Sequence, residues 1–199
     1  MKTVANIKLF IFDLDGTIVN FLINWTKVKE KIRKILKTSH SLTPLIPSIE
    51  EFVTDSELKK RIYKVMENEE MKVAKKLKVD EDIVKLFKKL KNLGYKFVLV
   101  TLQGYKPAVE ALNRLNIYEY FDLVISRDEK KTREEQIKMA LKMMHVKASQ
   151  AIIVADKLMD ISVAKKLGCM SMAITDKPKI NGDFKATNIK EILKILEVR

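Results

Sequence analysis

The sequence has very little cysteine and no long apolar run. Cys169 is the single cysteine among 199 residues, which excludes an internal disulfide and a thiolate metal cluster and suits a reducing compartment. No stretch approaches the ~18 consecutive apolar residues of a transmembrane helix. The first apolar run is interrupted by Asp13 and Asp15, which is unlike a signal peptide. These absences predict a cytoplasmic protein that has no membrane partner.

Acidic residues are scarce relative to basic ones. The chain has 26 Asp and Glu against 39 Lys and Arg, a formal net charge of +13. Such a balance suits nucleic acid, an anionic membrane or a negatively charged small molecule. The lysines are scattered among acids along amphipathic segments, and the few aromatic residues do not interleave with them. We therefore expect a solvated basic surface, an anionic substrate and no nucleic-acid partner.

What the sequence does contain is an alternation of apolar strands and amphipathic helices, most regular from Gly94 onward. Buried strands that alternate with helices are typical of parallel sheets, so the pattern predicts an α/β fold with a mainly parallel sheet. The predicted strands are residues 6–13, 96–101, 121–126, 151–156 and 170–175, and the predicted helices are 80–93, 107–115, 132–145, 158–167 and 188–196.

The segment after the first strand interrupts this alternation. The spacing of its apolar residues predicts one helix that ends near residue 37 and a second that opens with a capping box at Thr54 and Glu57. Residues 38–54, which include two prolines, are predicted as a loop. We expect a small helical domain inserted into the α/β core. The expected boundaries are residues 20–79 for the insertion and 1–19 with 80–199 for the core.

The segment LFIFDLDGTIV, residues 9–19, is the most informative part of the chain. Its apolar residues predict a buried strand that ends in Asp13 and Asp15, followed by Gly16. Two carboxylates at the end of a buried strand are costly unless a cation or hydrogen bonds compensate them. A glycine lets the backbone approach a ligand closely, and open α/β sheets bind ligands beyond the carboxyl ends of their strands. The segment predicts a metal site with a reactive carboxylate.

Later strands also end in residues that can handle phosphate or metal. The second predicted strand ends at Thr101 and the fourth at Asp156, with Asp160 four residues later. Lys131 stands at the start of the helix that follows the third strand. In a parallel sheet these residues gather at one edge, where oxygen ligands suit Mg²⁺ and the hydroxyl and ammonium groups suit phosphate. The set predicts phosphoryl transfer.

With these residues in place, the sequence resembles the haloacid dehalogenase (HAD) superfamily, in particular its phosphoglycolate phosphatase-like and β-phosphoglucomutase-like members. DLDGT at 13–17 matches the first family motif, Thr101 the Ser/Thr motif, and VADKLMD at 154–160 the late acidic motif. The family's lysine falls on Lys131, with Lys130 as the alternative. The resemblance covers the whole chain and implies a Rossmann-like three-layer sandwich with a mainly parallel sheet and a small helical cap inserted after the first strand.

The resemblance also implies a role for each matching residue. Asp13 is the nucleophile that forms an aspartyl-phosphate, and Asp15 is the general acid and base. The side chains of Asp13 and Asp156 and the backbone carbonyl of Asp15 hold Mg²⁺. Thr101 and Lys131 hold the transferring oxygens, and so serve both catalysis and substrate binding.

Other residues near the motifs are expected to support the site. Asp160 orients Lys131 or a metal-bound water. Gly16 and Leu102 stand beside the motifs and are expected to contact the substrate, and Trp25 is expected to face it from the start of the cap.

The predicted function is a Mg²⁺-dependent phosphomonoester hydrolase that acts on a small phosphorylated metabolite, as a monomer or a homodimer. A phosphomutase or phosphotransferase of the same superfamily is the alternative, since it passes the phosphoryl group to a hydroxyl instead of water. A receiver-like protein, which also combines acids, Thr and Lys around Mg²⁺, and a catalytically silent binding module stay open as alternatives of a different class.

Overall fold

The computed structural model describes residues 6–197, which form a six-stranded sheet flanked by helices. The strands are β1 (Leu9–Phe12), β2 (Lys96–Val100), β3 (Leu123–Ile125), β4 (Ala151–Ala155), β5 (Met170–Ile174) and β6 (Phe184–Ala186). They lie in the order β3-β2-β1-β4-β5-β6, and every neighbouring pair is parallel. The predicted parallel α/β fold and the five predicted strands are therefore confirmed, with β6 as an addition.

Strand β6 is absent from the sequence-based prediction because its pattern is weak. It has three residues, its central Lys185 is exposed, and it lies at the sheet edge with β5 as its neighbour. A three-residue edge strand buries too little apolar surface to produce a recognisable alternation.

Helices cover both faces of the sheet. The helices are α1 (Trp25–Leu36), α2 (Leu45–Phe52), α3 (Ser56–Ala74), α4 (Glu81–Asn92), α5 (Tyr105–Arg114), α6 (Arg133–Met144), α7 (Leu158–Leu167) and α8 (Ile192–Glu197). Successive side chains of a strand point to opposite faces. Phe10 and Phe12 of β1 accordingly pack into a cluster with α4, α5 and α8, whereas Leu9 and Ile11 pack with α6 and α7. This arrangement is the expected three-layer sandwich.

Several helix ends carry the signals visible in the sequence. The Thr132 side chain caps α6 by accepting a hydrogen bond from the Glu135 amide at 3.3 Å, and Asp80 caps α4 by accepting from the Ile83 amide. Gly168 ends α7 with φ of +77°, a left-handed conformation that favours glycine. These caps fix where each helix starts relative to the edge of the sheet.

Helices α1, α2 and α3, which we call the inserted helices or the insertion, lie between β1 and α4 in the chain and share an apolar cluster of their own. Val28 and Ile32 of α1 meet Ile49 of α2 and Ile62 and Met66 of α3 in this cluster. The cluster is separate from the two that cover the sheet.

Helix α2 corrects the prediction of a loop over residues 38–54. Ile46 and Ile49 are buried on its inner side, and Pro47 lies in its first turn. The first amides of a helix have no partner within the helix, so a proline there removes no bond. The prolines that suggested a loop therefore mark the start of a helix. Similarly, α3 is capped by Asp55, whose side chain accepts from the Leu58 amide at 2.8 Å, rather than by Thr54.

Within residues 6–197, every helix is too short or too polar to cross a membrane.

Candidate active site

The turn that follows β1 holds the first two carboxylates at the sheet edge. Asp13 is buried, and its amide extends the ladder by donating to the Val154 carbonyl at 3.0 Å. The chain then reverses tightly, and the Gly16 amide donates to the Val19 carbonyl at 2.8 Å. This reversal places Asp13 and Asp15 beside the end of β4.

Gly16 is required at this turn for two reasons. Its φ is +90°, and a Cβ atom at this position would lie 2.3 Å from Oδ2 of Asp156. An L side chain would therefore be strained and would also displace the Asp156 carboxylate. Gly16 was expected to contact the substrate; in the structure it makes room for Asp156 and does not line the cavity described below.

Asp15 is half-buried and is held by one backbone hydrogen bond. The Phe21 amide donates to Asp15 Oδ1 at 2.7 Å. Burial raises the pKa of Asp15 above its ordinary value, although the bond from Phe21 and the charge of Lys157 oppose that shift. A carboxyl group with a raised pKa carries a proton over a wider pH range, which is what a general acid needs.

Asp13, Asp15 and Asp156 converge on the ammonium group of Lys157. Lys157 Nζ lies 3.9 Å from Asp13 Oδ2 and 3.8 Å from Asp156 Oδ1, and it donates to the Asp15 carbonyl at 3.3 Å. Although burial opposes the effect, the carboxylates of Asp13 and Asp156 raise the pKa of Lys157. Burial in turn raises the pKa of Asp156. Lys157, which was not predicted as a site residue, therefore supplies positive charge at the centre of the acids.

The same three oxygen donors suit Mg²⁺. Oδ2 of Asp13 and Oδ1 of Asp156 are buried and have no hydrogen-bond partner, a costly state unless a cation approaches them. Mg²⁺ typically takes one or two carboxylates and keeps several waters, so these two oxygens and the Asp15 carbonyl fit it. Within residues 6–197, no group of three or more His, Cys, Asp or Glu side chains lies close enough together to hold a metal ion by side chains alone. The fit therefore depends on a backbone carbonyl as the third donor.

Arg133 supplies the second positive charge of the site. It is the first residue of α6 and is buried, and its guanidinium donates to Asp13 Oδ1, to Asp160 Oδ1 at 2.8 Å and to Gln136 Oε1 at 3.0 Å. A guanidinium offers several donors in a fixed plane and can bridge two carboxylates, which a single ammonium does less well. Arg133 thereby fixes the orientation of Asp13.

The structure corrects the expectation for Lys131. The Lys131 ammonium donates to the Arg127 carbonyl and lies 4.7 Å from the ring centroid of Tyr63, so it faces the inserted helices and not the acids. Lys130, the alternative, borders a surface groove on the outer side of α6. The cation that is hydrogen-bonded to Asp13 is thus Arg133, two residues after Lys131.

Asp160 is also paired differently from the expectation. It is fully buried and accepts from Arg133 rather than orienting Lys131. Burial raises the pKa of Asp160, and the charge of Arg133 opposes this shift. A signal in the sequence could have indicated Arg133: it directly follows the helix cap at Thr132, so the first turn of α6 carries it toward the sheet edge.

Thr101 lies where the sequence predicted it, at the end of β2. It is buried, its amide donates to the Ile125 carbonyl at 3.0 Å, and its hydroxyl accepts from the Gln103 amide at 3.2 Å. Its carbonyl accepts from Gln136 Nε2 at 2.6 Å. Since Gln136 also accepts from Arg133, one side chain connects the β2 end to the cation at Asp13.

A cavity of about 380 Å³ lies between this sheet edge and the inserted helices. On the sheet side it is lined by Asp13, Asp15, Thr101, Arg133 and Lys157, together with Leu102 and Gln103. On the opposite side it is lined by Trp25, Lys29, Leu45, Ile46 and Met66, among others. Trp25 and Leu102, both expected to face the substrate, border this cavity.

A buried ion pair connects the insertion to the loop that follows Thr101. Glu70 of α3 and Arg127 are both almost completely inaccessible to solvent, and their side chains are hydrogen-bonded. Glu70 Oε2 also accepts from the Gly104 amide at 3.1 Å, and Arg127 Nη1 donates to the Leu102 carbonyl at 3.1 Å. The pair therefore holds the 102–104 loop against α3.

Comparisons with known proteins indicate which family the chain belongs to. A family model of the haloacid dehalogenase-like hydrolases matches residues 10–174. A phosphoglycolate phosphatase from Neisseria gonorrhoeae is 24% identical over 196 residues, which cover 86% of this chain and 81% of that protein.

Solved structures share the fold. A haloacid dehalogenase-like family hydrolase from Streptococcus pneumoniae superposes with a TM-score of 0.72 at 22% identity, over 96% of this chain and 99% of its own. β-Phosphoglucomutase from Clostridium difficile gives a TM-score of 0.72 at 20% identity, over 94% of this chain and 93% of its own. The family model spans most of the chain, and the chain therefore belongs to the haloacid dehalogenase-like hydrolase family.

Proposed function

We propose that the protein is a Mg²⁺-dependent phosphomonoester hydrolase that acts on a small phosphorylated metabolite through an aspartyl-phosphate. The observation that carries the proposal is the state of Asp13. One of its oxygens is held by Arg133, and the other is buried without a hydrogen-bond partner at the cavity, 3.9 Å from Lys157. A buried carboxylate that is fixed but only half-satisfied, with a second carboxyl group beside it, suits nucleophilic attack.

The two carboxyl groups divide the reaction. A carboxylate oxygen of Asp13 attacks phosphorus while the ester P–O bond breaks, and the departing alcohol oxygen takes the proton of Asp15. Water then attacks the same phosphorus, gives a proton back to Asp15, and releases Asp13 and phosphate. The raised pKa of Asp15 keeps a protonated fraction available for the first step.

The remaining residues position the phosphoryl group and balance its charge. Arg133 orients Asp13 through its hydrogen bond, and Lys157 and the Thr101 hydroxyl offer donors to the phosphate oxygens at the cavity. The side chains of Asp13 and Asp156 and the carbonyl of Asp15 would hold Mg²⁺. When bound, Mg²⁺ neutralises phosphate charge and so lets an anionic nucleophile approach.

A phosphatase assay tests the proposal. The protein should release phosphate from aryl and metabolite phosphomonoesters with Mg²⁺ and lose that activity in EDTA. Asp13→Asn should lower kcat by at least about a thousandfold, because the amide is a poor nucleophile. The matched control is Asp176→Asn, which changes an exposed carboxylate just after β5 and should keep wild-type rates.

Two outcomes would contradict the proposal. Wild-type turnover by Asp13→Asn would remove Asp13 as the nucleophile. Conversion of a phosphate ester to a rearranged phosphate ester without phosphate release would favour the phosphomutase alternative.

A further inference from the structure

The charges of the cavity are concentrated on its sheet side. Asp13, Asp15, Arg133 and Lys157 lie there, where the phosphoryl group would bind. The residues that line the side formed by the inserted helices are mainly apolar: Trp25, Pro44, Leu45, Ile46, Pro47 and Met66. The cavity therefore provides two environments, one for an anion and one for an apolar group.

Lys29 is the charged residue that the described inserted helices contribute to this cavity. Its ammonium group donates to the Thr43 hydroxyl at 2.6 Å, so it has a partner within the insertion. A second anionic group of a substrate would lose hydration against the apolar lining, and Lys29, whose ammonium is already bonded to the Thr43 hydroxyl, would compensate only part of that loss. The lining thus favours an uncharged organic group over an anionic one.

The volume of the cavity suits a compact organic group. Small-molecule sites usually measure about 300–1,000 Å³, and this cavity of about 380 Å³ lies near the lower limit. It has space for a phosphoryl group and one compact ring. Trp25 offers an aromatic surface on which such a ring can pack.

We propose, on the basis of the proposed function, that the preferred substrate is a phosphomonoester of a compact apolar or aromatic alcohol. This class differs from the small anionic acid phosphate in the name of the relative from Neisseria gonorrhoeae. The sheet side binds the phosphoryl group, and the apolar side provides the preference for the alcohol.

Steady-state kinetics with matched alkyl phosphates test this inference. Benzyl phosphate, 2-phosphoglycolate and glycerol 3-phosphate all release primary alcohols, so leaving-group chemistry contributes little to the comparison. The kcat/KM for benzyl phosphate should exceed that of the other two esters by about 10- to 100-fold, because burial of one ring contributes about that much binding free energy. The difference should lie mainly in a lower KM for benzyl phosphate. Trp25→Ala and Leu45→Gln should each reduce this preference at least about fivefold.

The control variant is Thr26→Ala, which changes an exposed neighbour of Trp25 that does not line the cavity and should keep the wild-type preference. Thermal unfolding verifies that each variant is folded. Asp13-dependent hydrolysis that prefers 2-phosphoglycolate, with Lys29→Ala abolishing that preference, would overturn this inference and leave the proposed function intact. Absence of hydrolysis of every ester would overturn the proposed function itself.

A second inference comes from the position of the Lys157 ammonium. It lies within 4 Å of Asp13 Oδ2, the Asp15 carbonyl and Asp156 Oδ1, which are the three donors that fit Mg²⁺. Its side chain is half exposed and borders the cavity, so it has space to turn away.

We infer that Lys157 is an internal competitor of Mg²⁺: its ammonium neutralises the acids when no metal is bound and must leave when the metal binds. Lys157→Met should therefore bind Mg²⁺ about tenfold more tightly in isothermal titration calorimetry without substrate, because no cation has to be displaced. Lys165→Met removes the same charge from an exposed position on α7 and should keep the wild-type Kd.

Lys157→Gln provides a second variant if the methionine variant does not fold. An Mg²⁺ Kd for the Lys157 variants that equals or exceeds the wild-type value would overturn the inference. The calorimetric Kd does not depend on turnover, so this test is independent of the test of substrate preference.

Discussion

The ion pair between Glu70 and Arg127 provides a quantitative test of how the insertion is attached to the site. Both side chains are at most 1% exposed, and both also bond to the 102–104 loop beside Thr101. Removing one member of a buried pair leaves the other charge uncompensated, which typically costs about 3–5 kcal/mol. Glu70→Gln should therefore lower the free energy of unfolding by about 3 kcal/mol and reduce kcat/KM, because the loop loses its support.

The neighbouring residue Glu69 supplies a matched control. Glu69 forms ion pairs with Lys31 and Lys72 at the surface, and exposed pairs contribute about 0–1 kcal/mol. Glu69→Gln should therefore change the free energy of unfolding by less than about 1 kcal/mol. Both substitutions replace a glutamate carboxylate with an amide at adjacent positions, so the two variants differ mainly in how deeply the changed side chain is buried.

Urea-induced unfolding of single and double variants measures these values. Glu70→Leu combined with Arg127→Met removes both charges, and it should be more stable than either single variant because no unpaired charge stays buried. The reasoning is refuted if Glu70→Gln unfolds within about 1 kcal/mol of wild type, or if the double variant loses the sum of the two single losses.

Three further predictions concern single residues. Gly16→Ala should lower stability by about 1–2 kcal/mol and raise the Mg²⁺ Kd, because its Cβ would lie 2.3 Å from Asp156 Oδ2; an unchanged Kd in calorimetry would contradict this. Arg133→Lys should lower kcat about 10- to 100-fold, because an ammonium cannot reproduce the bridge to Asp13; wild-type kcat on an aryl phosphate would contradict this. Burial raises the pKa of Cys169 from 9.0 to about 11, so iodoacetamide should label it in urea but not in the native protein at neutral pH. Because the Cys169 thiol loses its proton at a lower pH in the unfolded chain than in the native protein, the free energy of unfolding should fall as pH rises from 9.0 to about 11. Cys169→Ala should remove this pH dependence.

The sheet and much of the site could be predicted because they depend on local patterns. The apolar run of β1 followed by Asp13 and Asp15 indicates a buried strand that meets a polar edge. Strand β2 ends in the same way at Thr101 and strand β4 at Asp156, and parallel pairing of Phe12 with Leu99 and Val154 places these ends side by side. Because the three strands pair in register, the polar residues at their ends lie together and form one site.

Residues whose position depends on tertiary contacts were harder to predict. Arg133 belongs to the site because the first turn of α6 directs its long side chain to Asp13 and Asp160, to which it donates hydrogen bonds. The Lys131 ammonium instead lies over the ring of Tyr63. Two lysines and an arginine lie within four residues, and the local signal that separates Arg133 from the lysines is its position directly after the Thr132 cap. The sequence pattern also does not predict helix α2, since a proline such as Pro47 is equally compatible with a loop and with the first turn of a helix.

Trapping the phosphoryl group on the enzyme tests the central claim most directly. The reaction with a phosphomonoester and Mg²⁺ is quenched during turnover, acyl phosphates are reduced with borohydride, and the peptide spanning residues 9–27 is sequenced by mass spectrometry. The account predicts a reduced side chain at Asp13, an unmodified Asp15, and no modification in Asp13→Asn. A reduced side chain at Asp15 or Asp156, or none at all during demonstrated turnover, would contradict it.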